Sequence, residues 1–163
     1  MAGRVHVSET PATQFLRGRG VIFRVHVYAY LEHGGARHGA RELGVDPAAV
    51  VKTLVMQDEH ARPLLVLMHG DRTVSTKSLA RQIGAKTVAQ CKPEVANRHS
   101  GYVVGGTSPF ATRKPMPVYF ERSILDLPLM FVNGGRRGFL VEVDPANCMQ
   151  LLQARPVQCA LAE

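Results

Sequence analysis

The chain has 163 residues, 45% hydrophobic and 20% charged, with twenty Lys and Arg against thirteen Asp and Glu, a formal charge of +7 and a pI near 9.8. That length suits one domain over 1–163, with a core that buries roughly two thirds of the unfolded surface and needs no disulfide staples. The odd set of Cys91, Cys148 and Cys159 shares no short ligand spacing, which excludes a disulfide framework and a zinc site, and no window approaches the roughly 18 apolar residues of a membrane span. The expectation is a soluble, cytoplasmic protein without metal or cofactor, whose positive charge favours a polyanion, nucleic acid above all.

Residues 1–7 read as a flexible tail. Thr10-Pro11 then supplies an N-cap and a first-turn proline for a short helix with Ala12, Phe15 and Leu16 buried, ending at Gly18 or Gly20. Alternation over residues 21–28 predicts a strand with Val21, Phe23, Val25 and Val27 toward the core and Ile22, Arg24, His26 and Tyr28 on the other face. Ala36, Ala40 and Leu43 recur at helical spacing before Gly44, and Asp46-Pro47 starts a short helical turn. Strands at 51–57 and 64–68 are expected to join across the polar loop 58–62. Ser75 caps a helix closed by Gly84, and Pro93 opens another that ends at Ser100-Gly101. Strands follow at 102–104, 118–121, 129–132 and 139–143, then a helix capped by Asp144-Pro145 and a strand at 157–160. Strands outnumber helices without a regular βαβ rhythm, which predicts a mixed sheet or partly closed barrel with helices packed around it.

Lys52 interrupts a valine-rich strand, where a cation either snorkels to solvent at a sheet edge or faces an anionic substrate; position alone leaves both open. In the loop Gly105-Gly106-Thr107-Ser108-Pro109, paired glycines let a ligand approach the main chain and the following residues hold the amides in place. That is the layout of a backbone oxyanion pocket. Ser108 lacks the Gly-x-Ser-x-Gly elbow of an exposed nucleophile and reads as a hydrogen-bonding support. Asn133-Gly134-Gly135-Arg136-Arg137-Gly138 reads as a hairpin turn whose arginines can contact phosphate. His33 and His38 fall on different helical faces with no carboxylate and cysteine set to complete a metal shell, and no Ser-His-Asp triad is marked. A hydrolase made of these parts relies on positioning, backbone electrostatics and the substrate's own groups.

These residues resemble, in order, the YbaK family of free-standing aminoacyl-tRNA deacylases, related to the editing domain inserted in bacterial prolyl-tRNA synthetases. The segments that carry the resemblance are His26-Val27-Tyr28, Val51-Lys52-Thr53-Leu54, residues 101–109, and residues 134–138 followed by Val141-Glu142. It covers nearly the whole chain, from Thr10-Pro11 to the final helix. The resemblance implies an α+β fold and trans-editing hydrolysis of mischarged Cys-tRNA(Pro), with prolyl-tRNA synthetase as a partner. It implies Lys52 and Gly106 as the catalytic groups, Tyr28 and Gly105 as pocket residues, and the thiol of the substrate cysteine as the attacking group. With the reading of the two loops, Thr107, Ser108, Asn133, Gly134, Gly135 and Arg137 join the expected substrate contacts. Ala111, Asn133 and Leu140 depart from residues frequent in the family, and the last two bear on pocket polarity. Alanine or another small residue on the tRNA is therefore the alternative substrate, and a non-catalytic module that binds tRNA or a synthetase is the alternative of another class.

Overall fold

The structure, a computed structural model, describes residues 8–163; the expected tail at 1–7 lies outside the described residues. Helix α1 (Pro11–Gly18) begins where Thr10 and Thr13 each accept the other's backbone N–H, with Pro11 at a position that needs no donor. Strand β1 (Arg24–Val27) is followed by α2 (Gly35–Leu43), which Gly44 closes in the left-handed region at φ 67°, and by a 3-10 turn at Pro47–Ala49 capped by Asp46. The central hairpin is β2 (Val50–Asp58) and β3 (Pro63–His69), trailed by the short β4 (Arg72–Val74). Helix α3 (Thr76–Ile83), capped by Ser75, then β5 (Val88–Gln90) and α4 (Pro93–Ser100) complete the first part of the chain. The second contains β6 (Val118–Glu121), a 3-10 segment Arg122–Asp126, the hairpin β7 (Met130–Asn133) and β8 (Phe139–Val143), α5 (Pro145–Leu151), β9 (Arg155–Val157) and β10 (Ala160–Ala162).

The large sheet runs β1-β8-β7-β2-β3-β6-β9, with β5 also on β2, while β10 and β4 form a separate pair. The pairs β2·β7, β3·β6 and β6·β9 are parallel and the rest antiparallel, so the expected α+β architecture is a mixed sheet. Both faces of its centre are covered. Leu65 and Leu67 of β3 join Val51, Val55, Phe120 and Val132 in one core, and Leu64, Val66 and Met68 join Leu79 of α3 in another. Burial on both faces is why β3 is an unbroken apolar run rather than an alternating one.

Several expected strands change. Residues 102–104 form no strand: the Tyr102 and Val104 amides donate to the side chains of Ser100 and Asn97, and the Val103 carbonyl accepts from Gly106, so local turn bonds consume the groups a ladder would use. Val27 is 60% exposed instead of lying in the core, while Val21, Phe23 and Val25 do pack on it. The strand is the outermost of the sheet, where alternation sets direction without providing cover. The expected strand at 157–160 is split into β9 and β10, because buried Glu121 takes the N–H groups of Cys159 and Ala160 at 2.6 and 3.0 Å and turns the chain between two sheets. The short strands β4 and β5 were not expected; each has only three residues, too few for alternation to register.

Candidate active site

The site follows from an interruption in the sheet. On the edge of β2 away from β3, β7 pairs only as far as Val51, opposite Val132, and β5 joins only at Met56, opposite Gln90. Between them, among the described residues, a stretch of a central strand has no strand beside it, and a cavity of 620 Å³ opens there. Its walls come from both faces of the sheet: Tyr28, Ala36 and His38 on the side of α2, and Cys91, Pro93 and Ala96 at the start of α4 on the other. The loops that follow α4 and β7 close the end, through Gly105, Thr107, Asn133 and Arg137.

Lys52 lines this cavity with its side chain 25% exposed. Its ammonium donates to the Arg72 carbonyl and stands 3.8 Å from the Glu163 carboxylate, which also holds Arg37 at 2.6 Å. Burial holds the Lys52 ammonium below its ordinary value, and the charges of Glu163 and Asp71 oppose that shift. Lys52 is thus an inner-strand cation, and the reading of it as an edge-strand charge is set aside.

The two glycine loops lie against each other, and their residues divide into those that face the cavity and those that hold the loops together. Gly105, at φ 91°, faces it, and an added Cβ there would stand 3.0 Å from the Tyr30 hydroxyl. Gly106 does not. Its N–H donates to the Val103 carbonyl at 2.8 Å, and a Cβ would fall 2.8 Å from the backbone of Arg136 and Arg137. The expectation of Gly106 as an oxyanion donor is corrected on that ground: its amide is spent in the turn, and its missing side chain lets the loops touch. Ser108 is fully buried, with Oγ accepting from the Phe110 N–H, so it supports the loop and is no substrate contact.

Gly134 and Gly135 are likewise corrected from substrate contacts to packing positions. A Cβ on Gly134 would meet the Phe139 ring at 2.5 Å, and one on Gly135, at φ 109°, would meet Thr10 and Tyr102 at 3.0 Å. Asn133 borders the cavity, but its amide is fully engaged, donating to the Gly105 and Arg136 carbonyls and accepting from the Gly135 and Arg136 N–H groups. It ties one loop to the other. Arg137 reaches the cavity, with Nε on the Val104 carbonyl at 3.1 Å and the guanidinium 5.1 Å over the Tyr30 ring. Arg136 turns away to the Ser8 carbonyl and the Phe139 ring.

Tyr28 lines the cavity beside His38, edge to face at 5.8 Å, and burial raises its phenol above the ordinary value. The Cys91 thiol, also at the wall, is pushed up by burial, which keeps it protonated and poorly nucleophilic.

A model of the aminoacyl-tRNA editing domain matches residues 35–151. The chain belongs to this family. Lys52, Gly105, Thr107, Asn133 and Arg137 fall inside the matched span, whereas Tyr28 and Tyr30 line the cavity from outside it and Glu163, also outside it, stands beside Lys52. Membership of the editing family makes the protein an aminoacyl-tRNA deacylase, a hydrolase of the ester between amino acid and tRNA. Among curated proteins, EbsC of Enterococcus faecalis, named for Cys-tRNA(Pro) and Cys-tRNA(Cys) deacylation, is 26% identical over 93% of each chain. A solved structure described as a trans-editing enzyme for prolyl-tRNA synthetase superposes with a TM-score of 0.81 at 23% identity, over 95% of this chain and all of that one. A second, of a hypothetical protein, reaches 0.86 at 22% identity over 93% of this chain and all of its own. These structures share the fold.

Some residues of the cavity wall, and others that reach it only through Lys52, were not singled out from the sequence. Thr53 had a signal, as a polar residue beside Lys52 in an apolar strand. Tyr30, Arg37 and Glu163 had none, because they meet the site only through the fold: Glu163 lies 111 positions beyond Lys52 (163 − 52).

Proposed function

We propose that the protein deacylates mischarged Cys-tRNA(Pro) in the cytoplasm as a trans-editing enzyme, its 1–163 chain acting as one domain. Support comes from the resemblance, from the activity named for EbsC, and from one observation in particular: Lys52 presents a half-buried ammonium in the wall of a cavity that also holds Arg137. Lys52 positions the 3′ end of the tRNA through phosphate or hydroxyl oxygens, with Arg137 as a second anion contact. Tyr28 bounds the substrate on the α2 side, and Gly105 and Thr107 close the end of the space it occupies.

The attacking group is the substrate's own thiol. Its sulfur bonds to the ester carbonyl carbon, the carbon–oxygen bond to the tRNA breaks, and the thiol proton ends on the released tRNA hydroxyl; water then opens the cyclic thioester to free cysteine. This path asks the protein for positioning and no nucleophile of its own. Prolyl-tRNA synthetase, which makes the mischarged species, is the partner the reading implies.

Cys-, Ala- and Ser-tRNA(Pro) together with Cys-tRNA(Cys) form the test panel, with loss of the ester followed for wild type and Lys52→Ala. Cys-tRNA(Pro) should be cleared fastest, and Lys52→Ala should lose at least about tenfold in rate. Faster loss of Ala-tRNA(Pro) would move the specificity to alanine. Binding that weakens with salt and gives no turnover would instead make the protein a tRNA-binding module.

A further inference from the structure

The open edge of β2 exposes main chain where a central strand ordinarily has none. Backbone groups alternate along a strand: successive residues direct their N–H and C=O to opposite neighbours. Lys52, Leu54 and Met56 lie opposite Met68, Val66 and Leu64 of β3, while the Val55 carbonyl accepts from the Cys91 N–H on the other edge at 3.1 Å. By the same alternation Thr53 directs its N–H and C=O to that other edge, at the place where β7 has left and β5 has not yet arrived. Among the described residues no strand lies against Thr53 there, and Thr53 lines the cavity. Its hydroxyl is buried and has no partner among the described residues, so the polar groups it turns to the open edge are those of its main chain.

We propose that the backbone N–H and C=O of Thr53 hold the aminoacyl group of the substrate as a strand residue would, the N–H donating to the ester carbonyl oxygen and the C=O accepting from the α-amino group. This rests on the reading of the protein as an aminoacyl-tRNA deacylase. In an antiparallel sheet a hydrogen-bonded pair exchanges both bonds between two opposed residues, and an aminoacyl ester is one such residue, with amine, Cα and carbonyl in the same order as a chain. Unpaired main-chain groups inside a fold are rare and costly, which is consistent with a ligand completing them.

The arrangement also places the rest of the substrate. Opposed side chains in such a pair share a face of the sheet, so the amino-acid side chain falls on the face of Thr53, with Val51 and Val55. Cys91 and Ala96 bound the cavity on that face, which leaves room for a small side chain. Lys52, next along the strand, projects from the opposite face toward the α2 side. The Thr53 N–H then stands where the sequence had placed the Gly106 amide, as the main-chain donor to the carbonyl that becomes an oxyanion.

Amide hydrogen exchange followed by NMR tests this, on the free protein and with tRNA(Pro) carrying cysteine or alanine through a 3′-amide link in place of the ester. In the free protein Thr53 should exchange at least about a hundredfold faster than Leu54 and Met56, and the bound analogue should slow it at least about tenfold. Slow exchange of Thr53 in the free protein, or exchange unchanged by saturating analogue, would overturn the proposal. Wild-type turnover of Cys-tRNA(Pro) in the same preparation separates the two readings: with turnover intact, an unprotected Thr53 removes this inference alone, and without turnover the deacylase reading itself falls.

Discussion

Lys52 carries its charge where burial works against it. Desolvation is the largest influence on its ammonium and lowers it from the ordinary 10.5, with Glu163 and Asp71 pulling the other way. The sign for stability follows. Below the lowered value Lys52 is charged in both the folded and unfolded chain, and the fold bears the full cost of its burial. As pH rises from that value toward 10.5, the folded state gives up the proton first and the cost is relieved. For function the sign is reversed, because anion binding needs the charge. Affinity for the amide-linked tRNA analogue should therefore fall with rising pH through a value below 10.5 in the wild type, and stay level over that range in Lys52→Arg, whose guanidinium remains protonated. An equal decline in both proteins would place the titrating group elsewhere.

Among the elements, the contact between the two glycine loops decides the shape of the site. An alanine at Gly106 would place its Cβ 2.8 Å from main-chain atoms of Arg136 and Arg137, and backbone cannot yield as a flexible side chain can. Gly106→Ala should lower stability by about 1–3 kcal/mol and cut deacylation with it, read from the urea midpoint and the initial rate. Unaltered stability would show that the loops do not meet there. The joint between β9 and β10 depends on a single side chain in the same way. Glu121 is 3% exposed and accepts the N–H groups of Cys159 and Ala160. Glu121→Ala strands both donors and should cost about 2–5 kcal/mol, whereas Glu121→Gln, which keeps a carbonyl oxygen, should cost less. Equal midpoints for the two variants would count against this role.

For the whole molecule, a charge of +7 makes tRNA affinity a function of ionic strength. Log affinity should fall linearly with log salt, and Arg137→Ala should make the slope shallower by about 0.7, the release expected for one lost contact to single-stranded phosphate. A salt-independent affinity would remove phosphate contact from the account. Much of the framework could be read without coordinates, because its signals are local. Thr10-Pro11, Ser75 and Asp144-Pro145 cap helices where expected, the β2–β3 hairpin is apolar on schedule, and the order of Lys52 and the two glycine loops carried the family resemblance. What each loop residue does was not local. Gly105 and Gly106 are chemically identical neighbours, yet one borders the cavity and the other is the seat of Arg136 and Arg137, about thirty positions on. The sequence by itself determined the capped helix starts, the β2–β3 hairpin and the chain order of Lys52 and the two glycine loops, since caps, turns and alternation depend on neighbours in the chain. Only the tertiary structure decided that β7 leaves β2 at Val51 and β5 joins at Met56, because pairing is settled between residues far apart; the open edge at Thr53, and the cavity along it, exist through that mismatch.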